Sequence, residues 1–311
     1  MTTSEELVLD VEGLRMRYGT RDVLHGVTLQ ARHGEVVALL GPNGAGKTTT
    51  IEILEGFRMR SAGRVTVLGT DPARGDEGWR ARIGIVLQSW RDHGKWRVRE
   101  LLAAQGSYYV PYATEQVRRP WDVDELLAAV DLTAHGDRMI RTLSGGQRRR
   151  LDVAIGLVGR PDLLFLDEPT AGLDPKARRD FHRLARRVAD ELDTTILLTT
   201  HDLDEAEGLA DRIVILAAGR IVADGTAADL ARQIAGEDEV RWTCDGQRHV
   251  ASTPDATRFA HELFIRHGDA IRELEIRPAS LEDTYLALVR QAEELGGGAD
   301  GAAADELEEV A

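Results

Sequence analysis

Cysteine is almost absent: Cys244 is the only one in 311 residues. One thiol supports neither an internal disulfide framework nor a multi-cysteine metal site. A chain of this length can bury a large core without disulfides. Long apolar runs are also missing. The longest, such as Val36–Leu40 and Ile213–Ala218, fall far short of the ~20 residues that cross a bilayer. The polar, acidic N-terminal stretch MTTSEELVLD has no apolar h-region, so no secretory or membrane signal is expected. Any work at a membrane would go through a partner. There is no cationic excess either: 39 Lys plus Arg stand against 53 Asp plus Glu, for a formal net charge of −14. That balance argues against a nucleic-acid-coating protein, and no nucleic-acid partner is expected. Half of the deficit sits in residues 291–311, which hold seven acids and no base. Such a Gly/Ala/Glu composition cannot bury enough apolar surface to offset ordering entropy, so disorder is expected there. Lysine is scarce. Lys47, Lys95 and Lys176 are the only three, so arginine is the default cation and each lysine poses its own question.

Short apolar runs alternate with helical patterns along the chain. Leu7–Val11, Met16–Tyr18, Val23–Leu29 and Val36–Leu40 read as strands. The early ones lie too close together for intervening helices, which predicts an antiparallel sheet. Arg64–Leu68 and Ile83–Leu87 read as further strands. Leu163–Asp167 and Thr195–Thr200 are continuous apolar or β-branched runs, the pattern of strands buried on both faces. Between them Pro175–Leu192 reads as a helix with proline in its first turn. The expected fold class is α/β: a parallel core sheet with an antiparallel β subdomain. Residues 90–140 carry few strand signals, three of the five tryptophans (Trp90, Trp96, Trp121) and helix-like stretches such as Val123–Val130. They predict a helical insertion between two core strands. Val240–Cys244, His249–Ser252 and Glu273–Arg277 read as strands, and Ser280–Leu288 as a helix, giving a small α+β appendage. The expected limits are 5–235 for the main domain, 236–289 for the appendage and 290–311 for the acidic tail. No internal repeat is visible.

The chemistry is concentrated in three places. Gly41-Pro42-Asn43-Gly44-Ala45-Gly46-Lys47-Thr48 matches G-x-x-x-x-G-K-[ST], with an apolar strand before it and a helical pattern after it. Glycines let the backbone curl so that several N–H groups converge on phosphate oxygens, and the helix N-terminus adds its partial positive charge. Lys47 is a compact point charge that can reach the β/γ-phosphates, where a planar guanidinium would be too broad. The Thr48 hydroxyl would ligate Mg²⁺. Leu163–Glu168 is an apolar strand ending in two carboxylates, placed where open α/β sheets bind ligands. Asp167 would hold Mg²⁺ through water, and Glu168 stands as the general base for an attacking water. Together these say nucleotide hydrolase. Leu143-Ser144-Gly145-Gly146-Gln147, ahead of the helical pattern Arg148–Val158, is a second Ser/Gly-rich helix start and hence a second anion site. One nucleotide does not need two γ-phosphate cradles. The second must serve another nucleotide, most simply on a second copy of the chain.

At this point the sequence resembles the ATP-binding subunit of an ABC transporter, whose signature is LSGGQ. The resemblance spans residues 7–230 with every expected motif in order. It implies a P-loop NTPase core of the ABC type, with ATP and Mg²⁺ as cofactors. Tyr18 would stack on adenine. Gly41 through Lys47, with Thr48 and Thr49, would cradle the phosphates. Gln88 matches the Q-loop glutamine, which contacts Mg²⁺ and the attacking water and senses the membrane subunit. Ala171-Gly172-Leu173-Asp174 matches the D-loop crossing the dimer interface, although the family more often has Ser-Ala at its first two positions. His201 matches the switch histidine on the γ-phosphate. Ser144, Gly145 and Gly146 would bind the γ-phosphate of the opposite protomer, with Gln147 nearby. ATP would thus close a head-to-tail homodimer, and hydrolysis would open it to move a separate transmembrane permease subunit. The helical insertion is the expected docking surface.

Within that family the chain most resembles drug and antibiotic exporters of the ABC-2 type. The stretch Arg277–Tyr285 and the continuation Leu143–Ala154 carry this likeness. The expectation is an efflux motor peripheral to the cytoplasmic face of the cell membrane. The alternatives are an importer ATPase subunit and a soluble ABC ATPase acting on ribosomes or DNA. A longer β-rich C-terminal regulatory domain is missing, which counts against sugar import. Paired nucleotide domains and long coiled coils are missing too, which counts against the soluble type.

Overall fold

The computed structural model describes residues 6–87, 93–234, 238–244, 246–277 and scattered positions between 282 and 294. The chain divides into two compact units after Val222.

The first unit opens with two long antiparallel strands, β1 (Leu7–Tyr18) and β2 (Arg21–Arg32). Leu7–Val11 and Met16–Tyr18, expected as separate strands, are one element. Gly13, at φ 59°, sits where the pairing register shifts between Val11 and Leu14. The break in apolar pattern is therefore a bulge and not a strand end. Strand β3 (Val36–Leu40) has all five residues buried and leads into helix α1 (Lys47–Leu54). Strand β4 (Ala62–Val67), the short helix α2 (Glu77–Arg80) and strand β5 (Ile83–Val86) follow. Helices α3 (Val98–Ser107), α4 (Val123–Ala129) and α5 (Gly145–Leu157) then fill the interval before strand β6 (Leu163–Asp167). The described residues of this interval form no named strand, as the helical insertion predicts.

Helix α6 (Pro175–Leu192) keeps its expected bounds because both ends are chemically marked. Asp174 caps its N-terminus, Pro175 occupies the first turn, and Asp193 ends it in a left-handed conformation. Phe181, Leu184, Ala185, Val188 and Ala189 form its buried stripe at helical spacing. Strand β7 (Thr195–Thr200), helix α7 (Leu203–Leu209), and strands β8 (Arg212–Ala217) and β9 (Arg220–Gly225) complete the core.

The chain makes an α/β core of two sheets. One has the order β2-β1-β4 and is antiparallel. The other has the order β5-β6-β7-β3-β8-β9, and the pairings among β5, β6, β7, β3 and β8 are parallel. Strands β3 and β7 are buried throughout, which is why their sequences are continuous apolar or β-branched runs. Parallel strands share one C-terminal edge. Register places Asp167 of β6 beside Thr199, and Leu40 of β3 beside Thr200. The residues that leave β6, β7 and β3 therefore emerge side by side.

The second unit contains helix α8 (Ala227–Ile234), strands β10 (Asp238–Cys244) and β11 (Gln247–Thr253), helix α9 (Ala256–His267) and strand β12 (Ile271–Arg277). Its antiparallel sheet runs β11-β10-β12. Val240, Cys244, Ala256, Leu263 and Ile271 make a small core between sheet and α9. Sequence reading does not name α9, although Asp255 caps it and its last turn carries Arg266 and His267. The expected helix over Ser280–Leu288 falls largely outside the described residues.

Candidate active site

The phosphate-type loop follows β3 without a break. The Gly41 amide donates to the Thr200 carbonyl at 3.1 Å, which pins the loop to the end of β7. Two positions admit only glycine. A Cβ on Gly41 would sit 2.2 Å from the Leu216 carbonyl oxygen. Gly46 has φ 105°, and a Cβ there would lie 2.6 Å from Leu24 Cδ2. Gly46 precedes Lys47, so the left-handed step turns the loop into α1 and leaves the first N–H groups of the helix facing the loop. Thr50 Oγ1 donates back to the Gly46 carbonyl at 2.9 Å and holds that turn.

Lys47 is buried. Its Nζ donates to the carbonyls of Gly41 at 2.7 Å and Pro42 at 3.1 Å, and lies 3.7 Å from Glu168 Oε1. Burial pulls its pKa down, while Glu168 and Asp167 push it back up. Thr48 is exposed beside it and Thr49 is half-buried.

Strand β6 delivers the two carboxylates. Asp167 Oδ1 accepts from Thr199 Oγ1 at 2.6 Å. The Glu168 amide donates to the same hydroxyl at 3.1 Å and to the Thr199 carbonyl at 3.2 Å. Glu168 has φ 41°, a left-handed backbone that a side-chain-bearing residue rarely adopts and that clusters at functional positions. Its Oε1 lies 3.2 Å from Nδ1 of His201, the residue directly after β7. Lys47, Glu168 and His201 therefore converge on one point at the C-terminal edge of three adjacent parallel strands. A third carboxyl stands near. Glu55 ends α1, and burial pushes it up to about 8, with Asp167 and Glu52 adding repulsion.

The signature residues lie elsewhere. Ser144 caps α5 through a reciprocal box: the Gln147 amide donates to Ser144 Oγ at 3.3 Å, and the Ser144 amide donates to Gln147 Oε1 at 3.0 Å. Gln147 Nε2 lies 3.0 Å from His135 Nε2. Ser144, Gly145, Gly146 and Gln147 line a cavity of about 370 Å³ together with Gly172–Asp174. Asp174 uses its carboxylate to cap α6, accepting from the Lys176 and Ala177 amides at 2.9 Å each. None of the residues around this cavity belongs to the phosphate loop. Tyr18 ends β1 and is 38% exposed. The Arg58 guanidinium lies 5.1 Å over its ring, and Arg58 Nε donates to Glu52 of α1 at 2.6 Å. Gln88 lies outside the described residues; Leu87 is the last described residue before it.

Residues 24–171 match the family model for the ABC transporter. Daunorubicin resistance ATP-binding protein DrrA3 of Streptomyces coeruleorubidus is 40% identical over 232 residues, covering 75% of this chain and 72% of that protein. The chain belongs to the ABC transporter ATP-binding family. Nod factor export ATP-binding protein I of Ralstonia nicotianae is 42% identical over 237 residues, covering 75% of the ABC chain and 71% of the relative. A solved structure of cbiO1 from Clostridium perfringens, part of the ABC transporter complex cbiONQ, superimposes with TM-score 0.64 at 28% identity. It covers 74% of this chain and 92% of that one. The protein is thus an ABC ATPase that binds and hydrolyses ATP, of the kind that works with separate transmembrane components. Among its described residues no helix is long and apolar enough to cross a membrane.

Two features of the ABC site escape sequence reading. Thr199 reads as a β-branched strand residue, and its role appears only when β6 and β7 are placed in register. Arg149 is the middle of three consecutive arginines and turns inward, 6% exposed, toward the backbone around Glu168. The helical pattern gives no signal for it, since the apolar positions Leu151, Val153, Ala154, Leu157 and Val158 centre on the side away from Arg149.

Proposed function

We infer that this ABC ATPase is the motor of an export complex, closing as a homodimer on ATP and driving a separate membrane-spanning subunit from the cytoplasmic face of the cell membrane. The convergence of Lys47, Glu168 and His201 carries the hydrolytic reading. Glu168 acts as general base on the attacking water. His201 keeps Nδ1 beside Glu168 and presents an Nε2–H to the γ-phosphate. Lys47 leaves the loop carbonyls for the β/γ-phosphates. Tyr18 takes the adenine ring, and Gln88 reads the water and the membrane partner.

The residues present fit Mg²⁺. The Thr48 hydroxyl and the Asp167 carboxylate are hard oxygen donors that would hold it. No cluster of three or more His, Cys, Asp or Glu among the described residues offers a cage of its own. When bound, the ion neutralises charge on the phosphates.

The separation of the signature cavity from the phosphate loop supports composite sites. Ser144, Gly145 and Gly146 of one protomer would complete the phosphate loop of another, with Asp174 and its neighbours at the seam. The family relatives named for drug resistance and Nod factor export support export over import. An apolar groove of about 240 Å³ lined by Ile85, Val86, Leu87, Gln105, Asp152 and Ile155 opens beside the approach to Gln88. It supports the helical segment as the docking surface. The limits 5–235, 236–289 and 290–311 remain the proposed motor, accessory domain and tail.

Glu168→Gln tests the base. Hydrolysis falls by roughly 10²- to 10⁴-fold while ATP binding persists. Normal turnover removes Glu168 from that role. Ser144→Arg tests the composite site: nucleotide binding stays and ATP-driven dimerisation, read by light scattering, is lost. Loss of binding instead would place the signature in its own protomer's site.

A further inference from the structure

Glu168 stands in a costly backbone conformation. A left-handed φ at a residue with a side chain is strained and persists only where the surroundings over-determine it. On one side the holder is β7: the Thr199 hydroxyl and carbonyl take the Glu168 amide, and the same hydroxyl fixes Asp167.

On the other side the holder is Arg149, from the second turn of α5. Its Nε donates to the Pro169 carbonyl at 2.6 Å, and one terminal nitrogen lies 3.5 Å from the Asp167 carbonyl. Those carbonyls flank Glu168 in the chain. The remaining terminal nitrogen donates to the Leu87 carbonyl at 2.7 Å, directly ahead of Gln88. Asp152, one turn on, lies 3.8 Å away, and the Phe181 ring lies 6.0 Å beneath the guanidinium. Burial lowers the pKa of this arginine, so its charge is held at a cost. An apolar side chain of similar volume would fill the space more cheaply. What a guanidinium alone supplies is a rigid fork that grips several acceptors at once. Here the acceptors belong to two segments, one carrying Glu168 and one leading to Gln88, and the fork is rooted in the helix that starts at the signature.

We propose that Arg149 is a positioning residue for hydrolysis, holding the Glu168 carboxylate in place by gripping the carbonyls on either side of it. The inference rests on the reading of Glu168 as the base. It also joins three parts of the site mechanically: the signature helix, the base and the approach to Gln88. A shift of α5 is then felt at Glu168 through one side chain.

The test uses the full chain with Mg²⁺, comparing Arg149→Gln, Arg149→Lys and each combined with Glu168→Gln. Hydrolysis by Arg149→Gln falls roughly 10- to 100-fold, the loss expected when a reacting group is misplaced by about 1 Å. Affinity for a fluorescent ATP analogue stays within about threefold, because the phosphate loop is untouched. Arg149→Lys keeps the charge without the fork and recovers part of the rate. In the Glu168→Gln background, Arg149→Gln lowers the residual rate by less than about twofold, since its effect runs through the missing carboxylate.

Circular dichroism checks folding, and if Arg149→Gln is unfolded the Arg149→Lys pair is read by the same criteria. A folded variant with normal turnover overturns the proposal. So does a loss of ATP affinity that matches the loss of rate, or full additivity with Glu168→Gln. Normal turnover in Glu168→Gln alone would defeat the base reading; an additive loss beside an inactive Glu168→Gln would defeat only the role of Arg149.

Discussion

Glu55 offers a quantitative test of the electrostatics beneath the site. Its carboxyl is 6% exposed and rises from an ordinary 4.5 to about 8, chiefly through burial. Between those values the native state keeps a proton that the unfolded chain has released. The contribution of Glu55 to stability is complete below about pH 4.5 and is lost as pH rises toward 8, at about 1.4 kcal/mol per pH unit. From pH 5.5 to 7.5 the loss is about 2–3 kcal/mol. Glu55→Gln preserves shape and removes the titration. The unfolding free energy of the variant relative to the parent should therefore climb by about 2–3 kcal/mol across that interval. Urea unfolding in EDTA at pH 5.5, 6.5 and 7.5 measures it. Trp79 is a suitable reporter, because its ring lies against Gly56, next in sequence. Asp152, which burial raises to about 6, titrates in both proteins and cancels in the difference. A difference that stays flat with pH would show that Glu55 is ionised in the native protein and would refute the reasoning.

Three further substitutions probe the loop and the carboxylates. Thr199→Val removes the hydroxyl that joins Asp167 to the Glu168 amide; a loss of about 2 kcal/mol should lower Tm by about 4–8 °C, and an unchanged melting curve would contradict it. Lys47→Ala removes the charge proposed to meet the β/γ-phosphates, so affinity for a fluorescent ATP analogue should drop at least tenfold, a difference of about 1.4 kcal/mol, by equilibrium titration. Gly46→Ala forces a Cβ toward Leu24 at a backbone angle alanine avoids, costing on the order of 1–3 kcal/mol; thermal melting reads it, and a parent-like Tm would count against the strain.

Much of the site is legible because local geometry dictates residue type. Gly41 and Gly46 are glycine for reasons of space and backbone angle, and the apolar strand ending in Asp167-Glu168 announces its own burial. Helix α6 is legible for similar reasons, since Asp174, Pro175 and a regular apolar stripe mark it within one segment. What is hidden depends on pairing between distant segments. Thr199 looks like any β-branched strand residue until β7 lies beside β6. Arg149 is indistinguishable by type from Arg148 and Arg150 until the rotation of α5 turns it inward. The bulge at Gly13 hides the continuity of β1, because an interrupted alternation reads as a strand end. Helix α9 goes unnamed because its apolar positions, on a sheet of only three strands, make a weak pattern.

The reciprocal cap at Ser144 has a thermodynamic consequence for the proposed dimer. The hydroxyl and amide nearest the signature glycines are already engaged with Gln147. A phosphate arriving there competes with those two bonds, which are worth about 1 kcal/mol as a helix cap. In the proposed dimer the first turn of α5 would thus have two alternative lids, one from its own chain and one from a neighbour's nucleotide. Loss of the second on hydrolysis would let the first re-form, so the open state would be a restored structure with its own stability. In the proposed dimer the cap would oppose closure and favour opening by about that amount.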